Sequence, residues 1–351
     1  MNNIMKKWIC TWSLAHSNTV YMPWNDKQNE IYITIKNNVA GEKLRLKFSN
    51  NYGKKATKIS SVIICLNNDQ EKKFCVSVDG RTSFTLPEKM TLISDEIDFL
   101  FEPGDEFCIT TVFEERKKPE SGCEVDNITI PCLEEVDIYT EETPKVIVAF
   151  GDSITRLDTW TRPLSIKLYD EHIGKVVFSN KGVSGNRLIR DSAQLHSGAF
   201  GDAAIKRLKH DVLDILGVTH VIFALGTNDL GHPGEEGCSI EELPTLQEFI
   251  DAVKTVMQQI KIHNIKFIGT TILPRLYDDC WTIEKENLRR AINYWILNSG
   301  EFDSVVDFDK AVRKKNGEPG MIEEFDSGDG LHPSEQGGLA IMESIDTEIF
   351  F

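Results

Sequence analysis

Apolar residues recur along this chain with two different periods. Between about residues 29 and 113, short runs such as "EIYITIKN", "KLRLKFSN", "ISSVIICL", "KFCVSV", "TSFTL", "DEIDFLF" and "EFCITTVF" alternate apolar with polar side chains or stay apolar for a few residues. Turn-forming residues punctuate them at Asn37-Asn38, Asn50-Asn51-Tyr52-Gly53, Asp79-Gly80, Pro87 and Pro103-Gly104. A period of two places alternate side chains on one face, so these runs predict strands, and many short strands at such spacing predict an antiparallel β-sandwich. The charged stretch "EERKKPESG" reads as a surface loop and "YTEETPKV" at 139–146 as a linker.

After Pro144 the pattern changes to strands alternating with helical segments. The strands are "KVIVAF", "KVVFSN", "THVIFAL", "IKFIGTTIL" and a short "SVVDF"; the helices are "RPLSIKLYDEH", "GDAAIKRLKHDVLDIL", "TLQEFIDAVKTVMQQIKIHN", "IEKENLRRAINYWILNS" and "SEQGGLAIMESIDTEI". Such alternation predicts right-handed βαβ units on a parallel sheet covered by helices on both faces. The chain is therefore expected to comprise two domains, 1–143 and 144–351, with an active site at the carboxyl ends of the parallel strands.

Charge narrows the partners. A net charge of −16 repels a phosphate backbone, and no Lys/Arg stripe with interleaved aromatics reverses it, so nucleic acid is excluded as a partner. The eight cysteines, at 10, 65, 75, 108, 123, 132, 238 and 280, show no metal-ligand spacing and read as reduced thiols. The start, "MNNIMKKWICTWSLAHSN", has two lysines but only a short apolar run broken by Thr11, Ser13 and His16, a poor signal peptide. No stretch of about 18 apolar residues is present, so no membrane span is expected. Together these point to a cytoplasmic protein.

Four segments fall at the predicted strand ends or before the last helix: "FGDSIT", "NKGVSGNR", "ALGTNDLGH" and "DSGDGLHP". They supply the inventory of serine-dependent acyl transfer. Ser153 needs a base, and a neutral imidazole, with a reference pKa of about 6.5, provides one in His332. Asp329, three residues earlier, can pair with the other ring nitrogen and fix the tautomer. Pro333 suits the first turn of the following helix. An oxyanion needs preorganised donors, each worth roughly 2.7–4 kcal/mol. The candidates are the N–H groups of Ser153 and Gly185 and the Asn228 side-chain amide, with Gly182 as the alternative to Gly185. Arg156, Trp160, Asn186 and His232 are candidate substrate-lining residues, and Trp281 is a further candidate for the pocket wall. Asp152 is assigned to capping, and Asn186-Arg187 to bracing the second loop. The acidic "LGHPGEEGCSIEELP" is expected to rim the site and favour neutral or cationic substrates.

These four blocks, in this order, resemble the SGNH hydrolase superfamily, the GDSL esterases and lipases, over roughly residues 145–345. Softer echoes are "RLKHDVL", "GVTHVI", "RAINYWI" and "VVDFDKAVR". "WICTWSLAH" and "RLKFSNNYG" are similar to the β-sandwich that precedes the catalytic domain in one subgroup. The resemblance implies a flavodoxin-like three-layer domain with about five parallel strands after a jelly-roll-like sandwich. It also implies Ser153 as nucleophile, His332 as base, Asp329 as its orienting acid, and an oxyanion hole of Ser153, Gly185 and Asn228, without metal or cofactor. In "RLDTW" the chain leaves the family pattern. The expected activity is hydrolysis of short acyl esters of small molecules or acetylated carbohydrate. Lipase, lysophospholipase or thioesterase activity is the alternative within this chemistry. An anion- or flavin-binding module, or a silent carbohydrate-binding protein, is the alternative outside it. The G-x-S-x-G elbow of α/β-hydrolases is absent.

Overall fold

Alternation in the N-terminal half builds strands whose apolar faces meet. The computed structural model describes residues 6–67, 69–276 and 281–351; Cys280 lies outside them. One antiparallel sheet runs Lys7–Ser13, Leu133–Thr140, Gly41–Ser49, Thr91–Ile93, with Ile97–Phe101 also paired to Gly41–Ser49. A second runs Glu30–Lys36, Glu106–Phe113, Thr57–Leu66, Asp69–Cys75, with Phe84–Leu86 also on Thr57–Leu66. Phe48 of the first sheet packs 5.2 Å from Phe84 of the second, and Phe101 meets Phe107 edge-on at 5.1 Å. The inner faces thus share one aromatic core, which makes this a β-sandwich. A small third sheet joins Ile128–Pro131, Ser121–Val125 and Ser17–Asn18.

Strands outside the quoted runs escaped the hydrophobic pattern, and Leu133–Thr140 shows one reason why. Leu133–Thr140 carries Glu134, Glu135 and Asp137, all buried. Lys47 pairs with Glu134 and Glu135 at 3.3 and 2.9 Å, and Arg45 with Asp137 at 3.1 Å, so charge partners take the place of apolar alternation. Its partner is Lys7–Ser13, paired from Lys7 opposite Thr140 to Ser13 opposite Glu135 with a register shift between Cys10 and Trp12. The expected linker at 139–146 is correspondingly shorter, because Thr140 ends one strand and Lys145 begins the next. Among the described residues the seven cysteines form no disulfide.

The C-terminal half forms a sheet of five parallel strands. In chain order they are Lys145–Gly151, Val176–Gly182, Val218–Ala224, Lys266–Thr270 and Ser304–Val306, and in space they lie second, first, third, fourth, fifth. Val146 through Phe150 are completely buried, as expected of a strand covered on both faces. Helix Leu246–Ile262 is capped by a Thr245–Glu248 box and buries Phe249, Val253, Val256, Met257 and Ile260, one helical stripe. The expected helix at 201–216 is shorter: Ala204–Leu208 is α-helical and Lys209–Leu213 continues as a π turn. By contacts the chain divides into two compact units. One comprises Met1–Val146 with Tyr169–Ser179 and Ile215–Gly217; the other comprises Ile147–Leu168, Asn180–Asp214 and Val218–Phe351.

The last helix, Glu335–Glu343, follows the fourth motif and is capped by Ser334. Pro333 therefore precedes the cap instead of lying in the first turn, since the Ser334 side chain takes the Gly337 N–H. Glycines let this helix approach its neighbours: a Cβ on Gly337 would lie 2.3 Å from the Phe325 carbonyl oxygen, and one on Gly338 only 2.1 Å from that of Thr159. Propensity alone favours alanine in a helix by about 1 kcal/mol. Here the collision reverses the sign, and Gly338→Ala is expected to lower the urea unfolding free energy by roughly 1–3 kcal/mol. Unchanged or raised stability would show that the backbone contact is not tight.

Candidate active site

The first parallel strand ends at Gly151, where a Cβ would meet the Thr155 side chain at 2.0 Å. Asp152 then caps the short helix Ser153–Arg156, its carboxylate accepting the Ile154 N–H at 3.0 Å. Ser153, the first residue of that helix, is 9% exposed. Its hydroxyl lies 2.8 Å from Nε2 of His332, and Nδ1 of the same ring lies 2.6 Å from Oδ2 of Asp329. An ionised carboxylate only accepts, so the Nδ1 proton points to Asp329 and Nε2 offers its lone pair to the Ser153 hydroxyl.

The turn that carries Asp329 is built by side-chain acceptors. Asp326 Oδ1 takes the N–H groups of Gly328 and Gly330, and Asp329 Oδ1 takes those of Leu331 and His332 at 2.9 and 2.8 Å. Desolvation works against the Asp329 charge, but the His332 ring and these N–H donors outweigh it and hold the carboxyl down to about 2. Asp329 is thus a carboxylate at any ordinary pH.

The second loop brings Gly185 to φ +71°, a conformation that favours glycine, and a Cβ there would lie 2.4 Å from the Phe200 ring. Gly182 serves close packing instead, since a Cβ on it would lie 2.4 Å from the Arg156 backbone nitrogen. Among the described residues, the N–H groups of Ser153 and Gly185 donate to no main-chain acceptor. Asn228 is buried on the short helix Thr227–Gly231, and its amide donates to the Asn186 carbonyl at 3.0 Å. The Asn228 amide thus ties the end of the third strand to the loop that carries Gly185.

Some expected wall residues lie elsewhere. Trp160 is completely buried and packs edge-on against Phe308 at 5.2 Å; it is a core residue and lines no open cleft. The Asn186 side chain is also fully buried, donating to the carbonyls of Phe200 and Asp202 and accepting from Arg207 Nε, so it braces the loop and has no group left for substrate. Trp281 is buried, with its indole N–H on Glu286. Arg156 is half-buried at the end of its helix, followed by Asp158, whose carboxylate takes Asn180 at 2.6 Å. The "RLDTW" segment is thus anchored through Asp158 and Trp160, while Leu157 stays 52% exposed. His232 is half-buried beside Phe200, their ring centroids 5.3 Å apart. Burial, reinforced by Arg187, His196, Arg275 and Lys285, pushes it down to about 3 and keeps it neutral. The expected acidic rim is partly compensated, since Glu242 pairs with Arg187 at 2.7 Å.

Sequence reasoning missed the residues that hold these loops together. Arg207, 5% exposed, donates to the Gly151 carbonyl at 2.7 Å, the Lys181 carbonyl at 3.0 Å and Asn186 Oδ1 at 2.9 Å, and pairs with Asp211 at 2.8 Å. Asp229 accepts the N–H groups of Leu188 and Ile189 at 2.8 and 3.1 Å. The available signal was the i,i+4 pairing of Arg207 with Asp211 inside "RLKHDVL". Phe200 gave none, because its partner Gly185 has no side chain to suggest it.

A family model described as GDSL-like lipase/acylhydrolase matches residues 147–345. The chain belongs to the GDSL-like lipase/acylhydrolase family. As a GDSL-family protein it is an ester hydrolase, and its five-stranded parallel sheet after an antiparallel sandwich is the SGNH arrangement anticipated from the motifs. Solved structures similar to it include a GDSL-like lipase from Bacteroides thetaiotaomicron, 20% identical, covering 60% of this chain and 91% of that one with a TM-score of 0.40. Est24, a carbohydrate acetylesterase from Sinorhizobium meliloti, is 15% identical over 57% of this chain and 95% of its own, with a TM-score of 0.42. The psychrotrophic esterase EstA from a Pseudoalteromonas species is 16% identical over 57% and 93%, with a TM-score of 0.40. No curated protein matches the chain. No helix among the described residues is long and apolar enough to cross a membrane.

Beneath the GDSL serine, Asp152 is 1% exposed, and burial raises its carboxyl to about 7; the Ile154 N–H opposes the shift, Asp229 adds to it and Arg207 opposes it. An exposed aspartate titrates near ~3.9. The native state therefore keeps a proton that the unfolded chain loses, so this group's stabilisation is complete below about pH 4 and is lost as pH rises to about 7. Asp152→Asn retains the capping oxygen and removes the charge. It is expected to leave stability unchanged near pH 4 and raise it by roughly 1–4 kcal/mol at pH 8, read by denaturant unfolding at both pH values. An equal effect at the two would contradict the assignment.

Proposed function

We propose that residues 144–351 form a serine esterase that works through an acyl-enzyme, with Ser153 as nucleophile, His332 as general base and acid, and Asp329 as the carboxylate that orients it. The observation that carries the reading is the His332 ring, which joins Ser153 and Asp329 by 2.8 and 2.6 Å hydrogen bonds although Ser153 lies 179 positions away in the chain. As Ser153 Oγ attacks the ester carbonyl carbon, His332 Nε2 takes its proton, and Asp329 stabilises the imidazolium that forms. The carbonyl oxygen becomes an oxyanion facing the N–H groups of Ser153 and Gly185 and the Asn228 amide, each donor worth roughly 2.7–4 kcal/mol. His332 then gives its proton to the departing alcohol. A water molecule attacks the acyl-enzyme, delivers its proton to His332, and the acid leaves as Ser153 recovers the proton.

The substrates in this reading are short-chain acyl esters, including acetyl groups on carbohydrate. The 9% exposure of Ser153 and the Phe200 ring against Gly185 favour a slim acyl group over a long chain. Long-chain lipase, lysophospholipase and thioesterase activities are the competing substrate classes, and an ester panel of increasing acyl length separates them. Ser153→Ala is expected to lower turnover of an aryl acetate by about 10⁴–10⁶-fold with unchanged circular dichroism and melting temperature. Activity within tenfold of the native protein would sink the mechanism.

A further inference from the structure

We propose that the N-terminal antiparallel unit carries a binding site for a neutral sugar residue, centred on Trp24. A pocket of about 280 Å³ opens there between the segment 23–31 and the hairpin tip at 127–129. Its lining includes Trp24, Asn25, Gln28, Asn127, Ile128 and Thr129. The volume falls just below the ~300–1,000 Å³ of drug-sized sites and suits one ring better than a long ligand.

The chemistry of the lining selects the ligand. Charged residues make up 27% of the chain, yet none of the eight residues around this pocket is ionisable. Such a site offers no counter-charge to an anion or a cation. The side-chain amides of Asn25, Gln28 and Asn127 supply both donors and acceptors, matching ligand hydroxyls that each donate and accept. The indole supplies a flat apolar surface for the C–H face of a pyranose ring. Neutral, polyhydroxylated and flat on one face describes a neutral sugar.

The platform is also held in advance. The Trp24 indole N–H donates to the Arg116 carbonyl at 2.8 Å, which spends its polar edge on protein and leaves the ring partly exposed. Lys118 Nζ donates to the carbonyls of Thr19 and Met22, both at 2.6 Å, and so pins the segment leading into Trp24. The Thr129 hydroxyl donates to the Pro23 carbonyl, tying the hairpin to that segment. Asn127 sits at φ +60° in the two-residue turn between Ser121–Val125 and Ile128–Pro131, a turn type that fixes the hairpin tip. Little ordering cost is left for binding. Ile128, 49% exposed, extends the apolar surface beside the pocket.

The test is affinity electrophoresis of the full chain in gels containing glucomannan, arabinoxylan or mixed-linkage β-glucan, with polygalacturonate as the anionic comparison. At least one neutral polysaccharide is expected to retard the native protein, equally at low and high salt. Trp24→Ala should weaken that interaction by about tenfold or more, the scale of one lost aromatic contact, while turnover of an aryl acetate stays unchanged. Gln28→Ala, which removes one amide and no ring, should weaken it less and guards against a folding defect in the tryptophan variant. The proposal is overturned if no neutral polysaccharide retards the native protein, if both variants are retarded as strongly as it is, or if polygalacturonate binds better and salt abolishes the effect.

Discussion

A buried guanidinium sets the geometry on which the site depends. Arg207 donates to the carbonyls of Gly151 and Lys181, near the ends of two neighbouring parallel strands, while also holding the Asn186 side chain; the Gly151 carbonyl accepts the Val183 N–H as well. Its charge is balanced by Asp211, and it lies over the Phe150 ring at 4.2 Å. A buried ion pair of this kind is weak evidence for stability, since desolvation offsets much of the attraction. Its value here lies in position. Gly151 stands two residues before Ser153, and Asn186 directly follows Gly185, so one planar group fixes the spacing between the strand end that carries Ser153 and the loop that carries Gly185. Asn228 and Asp229 then lock that loop from the third strand end.

Three aspartates show how environment divides labour within one residue type. Asp152 and Asp229 lie deep, and burial raises them to about 7 and about 6; the N–H groups of Ile154, and of Leu188 and Ile189, oppose the rise. They act as acceptors that shape the backbone. Asp329 sits in an exposed turn and, despite some desolvation, is held down to about 2 by the His332 ring and two N–H groups. Of the three, Asp329 is the one held as a full charge against the His332 ring, the state that the proposed mechanism calls on.

The sequence made the architecture legible where apolar periodicity carried it: the alternating strands before residue 113 and the strand–helix repeats after Pro144. It failed where buried charge replaced apolar residues, as in Leu133–Thr140 with Glu134, Glu135 and Asp137 set against Lys47 and Arg45. Ser153, His332 and Asp329 could be grouped from the sequence because serine nucleophilicity demands a base and an orienting acid, and the structure brings the three within hydrogen-bond distance. Trp160, and Asn186 in its expected lining role though not in its bracing one, were misplaced for a common reason: nearness in sequence to a site residue says nothing about which way a side chain points. The tryptophan turns into the core against Phe308, and the asparagine is consumed by its own loop. Arg207 and Phe200 act through space on residues distant in the chain; the i,i+4 spacing to Asp211 marks Arg207 as paired but not what it holds, and no local period announces Phe200.

The central claim is that Ser153 is an activated nucleophile backed by preorganised oxyanion donors. The most direct measurement is mass spectrometry of the full chain after incubation with a fluorophosphonate, followed by peptide mapping. The expected result is addition of one phosphonyl group, located on Ser153, in step with loss of esterase activity. An unmodified protein, or an adduct on another residue with Ser153 left free, would contradict it.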